Sequence, residues 1–391
     1  MTRCFTSECV TPAHPDKLCD QISDSILDSM LSQDEYTRAA IETTACLDFV
    51  HVMGEVMTRA EVDVEAIVRD TIRHVGYTKS EYLFTDQVRV VTTLHGQSPD
   101  IAQGVDLDER LGAGDQGMMF GYATSECPNG MPLTVNLARG LVDELTRARR
   151  SGEIPFLRPD GKAQVSVEYK DGKARRISSV VLSSQSDDDV DIEEIRRILR
   201  REVIDKVLMQ DMVDDDTRYY INPTGRFVLG GPAADTGLTG RKIVCDTYGG
   251  WAPHGGGAFS GKDATKVDRS ASYAARNIAL TIVRSSLADR CLVQLAYAIG
   301  VPDPVSVFVD TFSTGLVDDE VLAQWVRTSW DLSPTGIIDE FHLRKPGYAV
   351  LSETGHFGGD REWEHVSGKR IESLRRLMWR SGPVSGPSRR R

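Results

Sequence analysis

Three segments of this chain share one pattern at almost constant spacing, and that repeat limits the folds open to it more than any other feature. Each segment has a helix-like stretch, two strand-like runs and then a capped helix. The capped helices fall at residues 62–72, 190–200 and 317–327. Asp63, Asp191 and Asp318 stand at the N-cap, a position that favours a short side chain able to accept from free backbone N–H groups. These caps are 128 and 127 residues apart. In the first copy Val64, Ile67, Val68 and Ile72 recur at helical spacing. The strand-like runs ahead of the caps are 39–56, 164–185 and 291–312, with a hairpin turn at Asp171-Gly172 in the second. Helices are expected before them at 17–31, 135–150 and 268–287. The pattern predicts an α+β protein of three similar α/β subdomains around a pseudo-threefold axis. The expected boundaries are 3–99, 112–229 and 230–368, followed by a Pro/Gly/Ser-rich tail at 381–391 read as disordered. Residues 94–117 have little periodicity and read as an active-site lid.

The chain is acidic, with a net charge of −12 over 391 residues, which argues against broad nucleic-acid binding. No run is long and apolar enough to span a bilayer, and no secretory leader is read at the N-terminus. The seven cysteines include no CxxC pair, which fits a reducing compartment. A cytoplasmic location is expected.

Within this acidic chain, residues 220–270 concentrate glycines with Arg226, Arg241, Lys242, Lys262 and Lys266. Glycines let backbone N–H groups approach a ligand, and the cations neutralise a polyanion. Asp235, Asp263 and Asp268 supply oxygens suited to a hard cation. Together they suit a nucleotide bound with Mg²⁺. The run GGAFSGKD at 256–263 nearly fits a phosphate loop, but Asp263 replaces the hydroxyl residue that would meet the metal. A standard phosphate loop is therefore excluded. The motif HPDK at 14–17 adds Asp16 as a Mg²⁺ ligand or helix cap and Lys17 as an anion contact. Asp115 faces a ribose or adenine, or only closes a turn. No nucleophile elbow, zinc helix or Cys/His cluster is read. Attack by a neutral sulfur on a nucleotide carbon fits that pattern, because such a sulfur has no proton to lose.

Taken together, GGGAFSGKD (255–263), NPTGRFVLGGP (222–232), GLTGRK (237–242), GAGDQGMMFGYAT (112–124) and HPDK resemble the methionine adenosyltransferase family. The resemblance implies formation of S-adenosylmethionine, phosphate and diphosphate from ATP, L-methionine and water. It also implies two Mg²⁺ ions per site, K⁺, and a homodimer or homotetramer with active sites at the dimer interface. Carried over motif by motif, His14 stabilises the leaving triphosphate. Asp16 holds Mg²⁺, with Asp268 as a second ligand, and Glu42 sits at the K⁺ site. Asp115, Asp160, Lys162, Arg226, Phe227, Asp235, Arg241, Lys242, Ala258 and Lys262 contact ATP. Glu55, Gln97, Asp235, Lys266 and Ile299 contact methionine. The catalytic group is His14, Lys162, Arg241 and Lys262, and residues 98–112 form the gating loop. Four positions depart from the family's usual pattern. Pro12-Ala13 replaces Glu-Gly, Cys9 replaces a serine, Ala234 replaces a glycine, and Pro253 stands where the family varies. Ala13 is expected to fit poorly a backbone suited to glycine, and the four changes are expected to alter rate, substrate tolerance or product inhibition without abolishing catalysis.

Overall fold

The computed structural model describes residues 2–96 and 111–381. Gln97, most of the expected gating loop and nearly all of the expected C-terminal tail lie outside the described residues.

Eleven strands form three sheets among the described residues. The strands are β1 (Thr2–Val10), β2 (Arg38–Cys46), β3 (Phe49–Met57), β4 (Arg89–His95), β5 (Gly117–Thr124) and β6 (Leu157–Lys170). They continue with β7 (Lys173–Ser186), β8 (Arg218–Ile221), β9 (Gly237–Leu238), β10 (Arg290–Tyr297) and β11 (Ser306–Asp310). The sheet orders are β1-β6-β7-β8, β11-β10-β5 and β4-β3-β2-β9. Each sheet is built on one antiparallel pair, β2–β3, β6–β7 or β10–β11. Asp171 and Gly172 join β6 to β7 with φ of 54° and 77°, the positive values that a tight hairpin turn needs.

The long helices are α1 (Pro15–Leu31), α2 (Val64–Val75), α3 (Leu133–Arg150), α4 (Ile192–Leu199), α5 (Val267–Arg284), α6 (Asp319–Ser329) and α7 (Gly368–Ser381). All three expected caps form. Asp63 accepts from Ala66 N, Asp191 from Glu193 N and Glu194 N, and Asp318 from Glu320 N. The helices expected before the strand pairs are α1, α3 and α5.

The strand that precedes each of those helices does not join the nearest strand pair in sequence. β1 pairs with β6, β5 pairs with β10, and β9 pairs with β2. The exchange is cyclic, so the three α/β units are interlocked about a pseudo-threefold centre. α1 packs on β2 and β9, α3 on β6 and β1, and α5 on β5 and β10. Each helix therefore buries its apolar face on strands from distant stretches of chain.

α5 is the most buried of the three. Its alanines let β5 cross closely: a Cβ at Gly121 would come within 2.0 Å of the Ala275 backbone. Two arginines of α5 lie fully inside and are neutralised there. Arg269 Nη1 and Nη2 each donate to Asp24 at 2.8 Å. Arg276 Nε and Nη2 donate to Glu364 at 2.9 and 2.8 Å. Such pairing offsets the cost of taking charge out of water.

Candidate active site

The site is organised by α1. His14 caps the helix, its Nδ1 accepting from Asp16 N at 3.2 Å. Pro15 follows at the first helical position, where a missing N–H costs nothing. Asp16 thus lies in the first turn and is not itself the cap. Four carboxylates then recur at i, i+4 spacing along one face, and each holds backbone of a distant loop. Asp16 Oδ1 accepts from Leu238 N at 3.0 Å, and Asp20 Oδ1 from Gly240 N at 2.8 Å. Asp24 Oδ1 accepts from Gly261 N at 2.8 Å. Asp28 accepts from Gly347 N, Tyr348 N and Ala349 N at 2.8–2.9 Å. The two glycine-rich motifs, GLTGRK and GGGAFSGKD, are pinned to this one helix. Asp20 and Asp24 were missed as site-supporting residues in the sequence, although their four-residue spacing from Asp16 was visible there.

One cluster gathers around Asp16. Lys242 Nζ meets Asp16 Oδ2 at 2.5 Å, and Arg241 Nε lies 3.6 Å from Oδ1. Burial pushes the Asp16 carboxyl up, but Lys242 and Leu238 N outweigh it and hold the group below its usual range. His14 is buried and lies in the field of Lys242 and Lys162, which together lower it from 6.5 to about 3. Lys162 projects from β6, opposite Val10 of β1. Asp160, two residues before it, is buried with Oδ2 on Gly231 N at 2.9 Å. Burial raises Asp160 to about 6, with Asp235 adding to the rise. Its Oδ1 is buried and takes no hydrogen bond among the described residues. Asp235 itself is exposed.

A second cluster forms where the glycine-rich loop meets α5. Lys262 Nζ pairs with Asp268 at 2.7 Å. The loop backbone pairs with β2 here, through Ile41 N to Gly261 O at 2.9 Å and Asp263 N to Ala39 O at 3.1 Å. That places the loop beside β2 and β3, which carry Glu42 (exposed) and Glu55 (half-buried, opposite Ala40). Glycine at 257 lets the Asp268 carboxyl lie against the loop, since a Cβ there would be 2.2 Å from it and would push it aside. Asp115 is exposed and caps its own neighbour, Gln116 N, at 2.7 Å. The adjacent Gly114 faces the Thr265 carbonyl. Ala258 sits against Gly240, where the two glycine-rich motifs touch. Among the described residues no ion pair links a member of one cluster to a member of the other.

Two expected ligand contacts have other duties. Lys17 is buried between Asp246 (2.5 Å) and Asp20 (3.1 Å). Burial opposes its charge, but the two carboxylates win and push it well above the usual lysine range. It is a structural cation and not an anion contact. Asp263 accepts from Ala39 N (2.8 Å), Thr265 N (2.9 Å) and Lys266 Nζ (2.6 Å), so it ties β2, its own loop and Lys266 together. Lys266 is thereby tied to Asp263 at the start of α5. Arg226 stands apart, largely exposed and paired with Asp188 at 2.7 Å. Phe227 next to it is half-buried, with its ring 3.0 Å from a Cβ built at Gly230. Ile299 is exposed between β10 and β11. Ala13 and Ala234 carry no backbone strain. Neither takes a positive φ, and Ala234 sits at −105°. The loop after Lys262 stays irregular until α5 begins at Val267, which agrees with excluding a standard phosphate loop.

An interlocked three-unit α+β fold that pins two glycine-rich, cation-bearing loops to one acidic helix defines the structural class of this protein. Family models for the N-terminal, central and C-terminal domains of S-adenosylmethionine synthetase match residues 2–99, 110–227 and 229–365. An S-adenosylmethionine synthase from Clostridium tetani (strain Massachusetts / E88) is 48% identical over 393 residues, covering 97% of this chain and 100% of that protein. The chain belongs to the S-adenosylmethionine synthetase family.

Proposed function

We propose that this chain, a methionine adenosyltransferase, joins L-methionine to ATP in one displacement followed by one hydrolysis. The methionine sulfur attacks the ribose C5′, the C5′–O bond breaks, and the whole triphosphate leaves. Water then splits the triphosphate into phosphate and diphosphate. The observation that carries this reading is the set of cations, Arg241, Lys242 and Lys162, gathered about His14 and Asp16. Departing triphosphate gains negative charge, and fixed cations meet that charge without reorganising. His14 is neutral and donates a hydrogen bond to the leaving oxygen without surrendering a full proton. The sulfur needs no general base.

Mg²⁺ is usually held through one or two carboxylates together with substrate phosphates. Asp16 and Asp268 each offer one carboxylate beside a lysine, which fits that donor set. Two Mg²⁺ ions would lie against these carboxylates, and K⁺ near Glu42. When bound, the metals neutralise phosphate oxygens. The buried, unpartnered Asp160 Oδ1 is suited to a ligand N–H or O–H. In this reading Phe227, Arg226 and Asp235 receive the adenosine, Ala258 and Lys262 the phosphates, and Asp115 the nucleoside. Glu55, Gln97, Lys266 and Ile299 receive methionine.

The two clusters belong to one chemistry, and although their loops touch at Gly240 and Ala258, no ion pair joins them among the described residues. We infer that they meet across a homodimer, alone or within a tetramer, so that each active site draws on two copies.

The test is phosphate release with ATP, Mg²⁺ and K⁺, with and without L-methionine, and product identification by mass spectrometry. Methionine-dependent S-adenosylmethionine with phosphate and diphosphate is expected. ADP with a phosphorylated product would indicate a kinase instead, and binding without turnover a silent relative or a sensor.

A further inference from the structure

Cys9 and Cys245 are 236 residues apart in sequence, yet their sulfurs lie 2.8 Å apart. No other two cysteine sulfurs are in contact among the described residues. Both side chains are buried, and both line a narrow cleft shared with Lys17, Arg139 and Asp246. We propose that Cys9 and Cys245 form a reversible disulfide that sets the geometry of the Asp16 cluster.

The argument rests on where the pair sits. Cys9 is near the end of β1, the strand that leads into His14 and Asp16. Cys245 is in the short helix Ile243–Asp246, directly after Arg241 and Lys242. The two segments already converge at the Lys242–Asp16 ion pair of 2.5 Å. A Cys9–Cys245 bond would close a ring through that ion pair. It would also act on Asp246, the next residue, which holds Lys17 of α1. Arg139 also holds this short helix, donating to Cys245 O at 3.0 Å. The backbone is thus anchored, and a change at the sulfurs is passed to the neighbouring cations.

The chemistry is two-electron oxidation by a hydroperoxide such as hydrogen peroxide. Either thiol can donate across this contact, and with Cys9 as donor the Cys245 thiol is drawn below its ordinary range. A lowered thiol is the better nucleophile at neutral pH. The Cys245 sulfur attacks one peroxide oxygen and the O–O bond breaks. Cys245 becomes a sulfenic acid, and the departing hydroxide leaves as water with the thiol proton. The Cys9 sulfur then attacks the Cys245 sulfur. The S–S bond forms, the S–O bond breaks, and a second water leaves with the Cys9 proton. One peroxide is reduced and one dithiol is oxidised. A dithiol reductant reverses the step by thiol–disulfide exchange.

The experiment treats the whole protein with limiting hydrogen peroxide and maps linked peptides by mass spectrometry without reduction. A Cys9–Cys245 linked peptide is expected, lost on dithiothreitol treatment. Cys9→Ser should abolish it and leave a dimedone-trappable sulfenic acid on Cys245, and Cys245→Val should give neither. Absence of the linked peptide while exposed Cys4 is oxidised would overturn the proposal. This covalent readout is independent of the proposed reaction. The activity arm rests on that reaction: peroxide should slow methionine-dependent phosphate release in the parent protein, reversibly, and spare the Cys9→Ser protein. Equal inhibition of both, or a linked protein with an unchanged rate, would overturn control of the site by this pair.

Discussion

His14 acts as a neutral group, and that has a measurable cost in acid. Its folded pKa is lowered from 6.5 to about 3 by burial and by Lys242 and Lys162. Between those values the unfolded chain binds a proton that the folded chain refuses. Stability from this residue is therefore complete above about pH 6.5 and falls as pH drops toward 3, by up to ~1.4 kcal/mol per pH unit. Asp20 and Asp160 oppose it, because burial raises them to about 7 and about 6. They keep protons that the unfolded chain has released, so their contribution declines as pH rises through that window. The parent curve is the net of both, and a variant isolates His14. His14→Asn keeps a good N-cap without the titration. Denaturant midpoints at pH 7, 6, 5 and 4 should converge toward the variant or cross in its favour as pH falls. A constant gap would mean that His14 titrates normally. Lys262 gives a second prediction at this scale. Its ammonium is paired with Asp268, and in the proposed reaction it meets the triphosphate as charge develops. Lys262→Ala should lower kcat by about 100-fold or more, with a much smaller change in methionine binding. Single-turnover rates beside equilibrium binding of methionine would separate the two. Equal, small effects on both would remove Lys262 from the chemistry.

The element that decides the site is α1, whose carboxylates at 16, 20 and 24 hold the glycine-rich loops by their backbone N–H groups while Asp28 holds residues 347–349. Asp24 does so while neutralising the fully buried Arg269. Asp24→Ala leaves an uncompensated internal charge and should cost about 3–5 kcal/mol in chemical denaturation. It also frees Gly261 N, so residual folded protein should show a slower chemical step than its ATP binding alone would suggest. A loss below about 1 kcal/mol would mean that water reaches Arg269. The helices were readable in the sequence because caps and apolar periodicity are local, and Asp63, Asp191 and Asp318 cap as the pattern indicates. The cyclic exchange of β1, β5 and β9 was not readable, since strand pairing across more than a hundred residues leaves no local mark. The cations of the site were legible as motifs. Their partners were not: Lys242 meets Asp16 from 226 residues away. Arg269 and Arg276 are fully buried, which arginine seldom is unless paired, and their partners Asp24 and Glu364 lie far away in sequence. Lys17 was misplaced for a related reason, as a charge in a motif does not say whether another side chain already holds it.

At the scale of the whole molecule, the proposed reaction gives the two clusters one ligand, yet among the described residues they share no ion pair. A two-fold dimer resolves this if each site takes the Asp16 cluster from one copy and the Lys262–Asp268 cluster from the other. The symmetry makes a quantitative prediction. Asp16→Asn alone should be inactive, and so should Lys262→Ala with Asp268→Asn. When the two inactive proteins are mixed, dissociated and reassembled, about half of the dimers are hybrids. In each hybrid one site receives both defects and the other receives none. Activity should therefore return to about a quarter of the parent level, with the methionine dependence of the parent. Reassembly can be followed by native mass spectrometry of differently tagged copies, so exchange is known to have occurred. Hybrids that form and stay inactive would show that both clusters serve one site within a single chain. Recovery near a quarter would place the active site between two copies and explain why neither half of the site is complete within one.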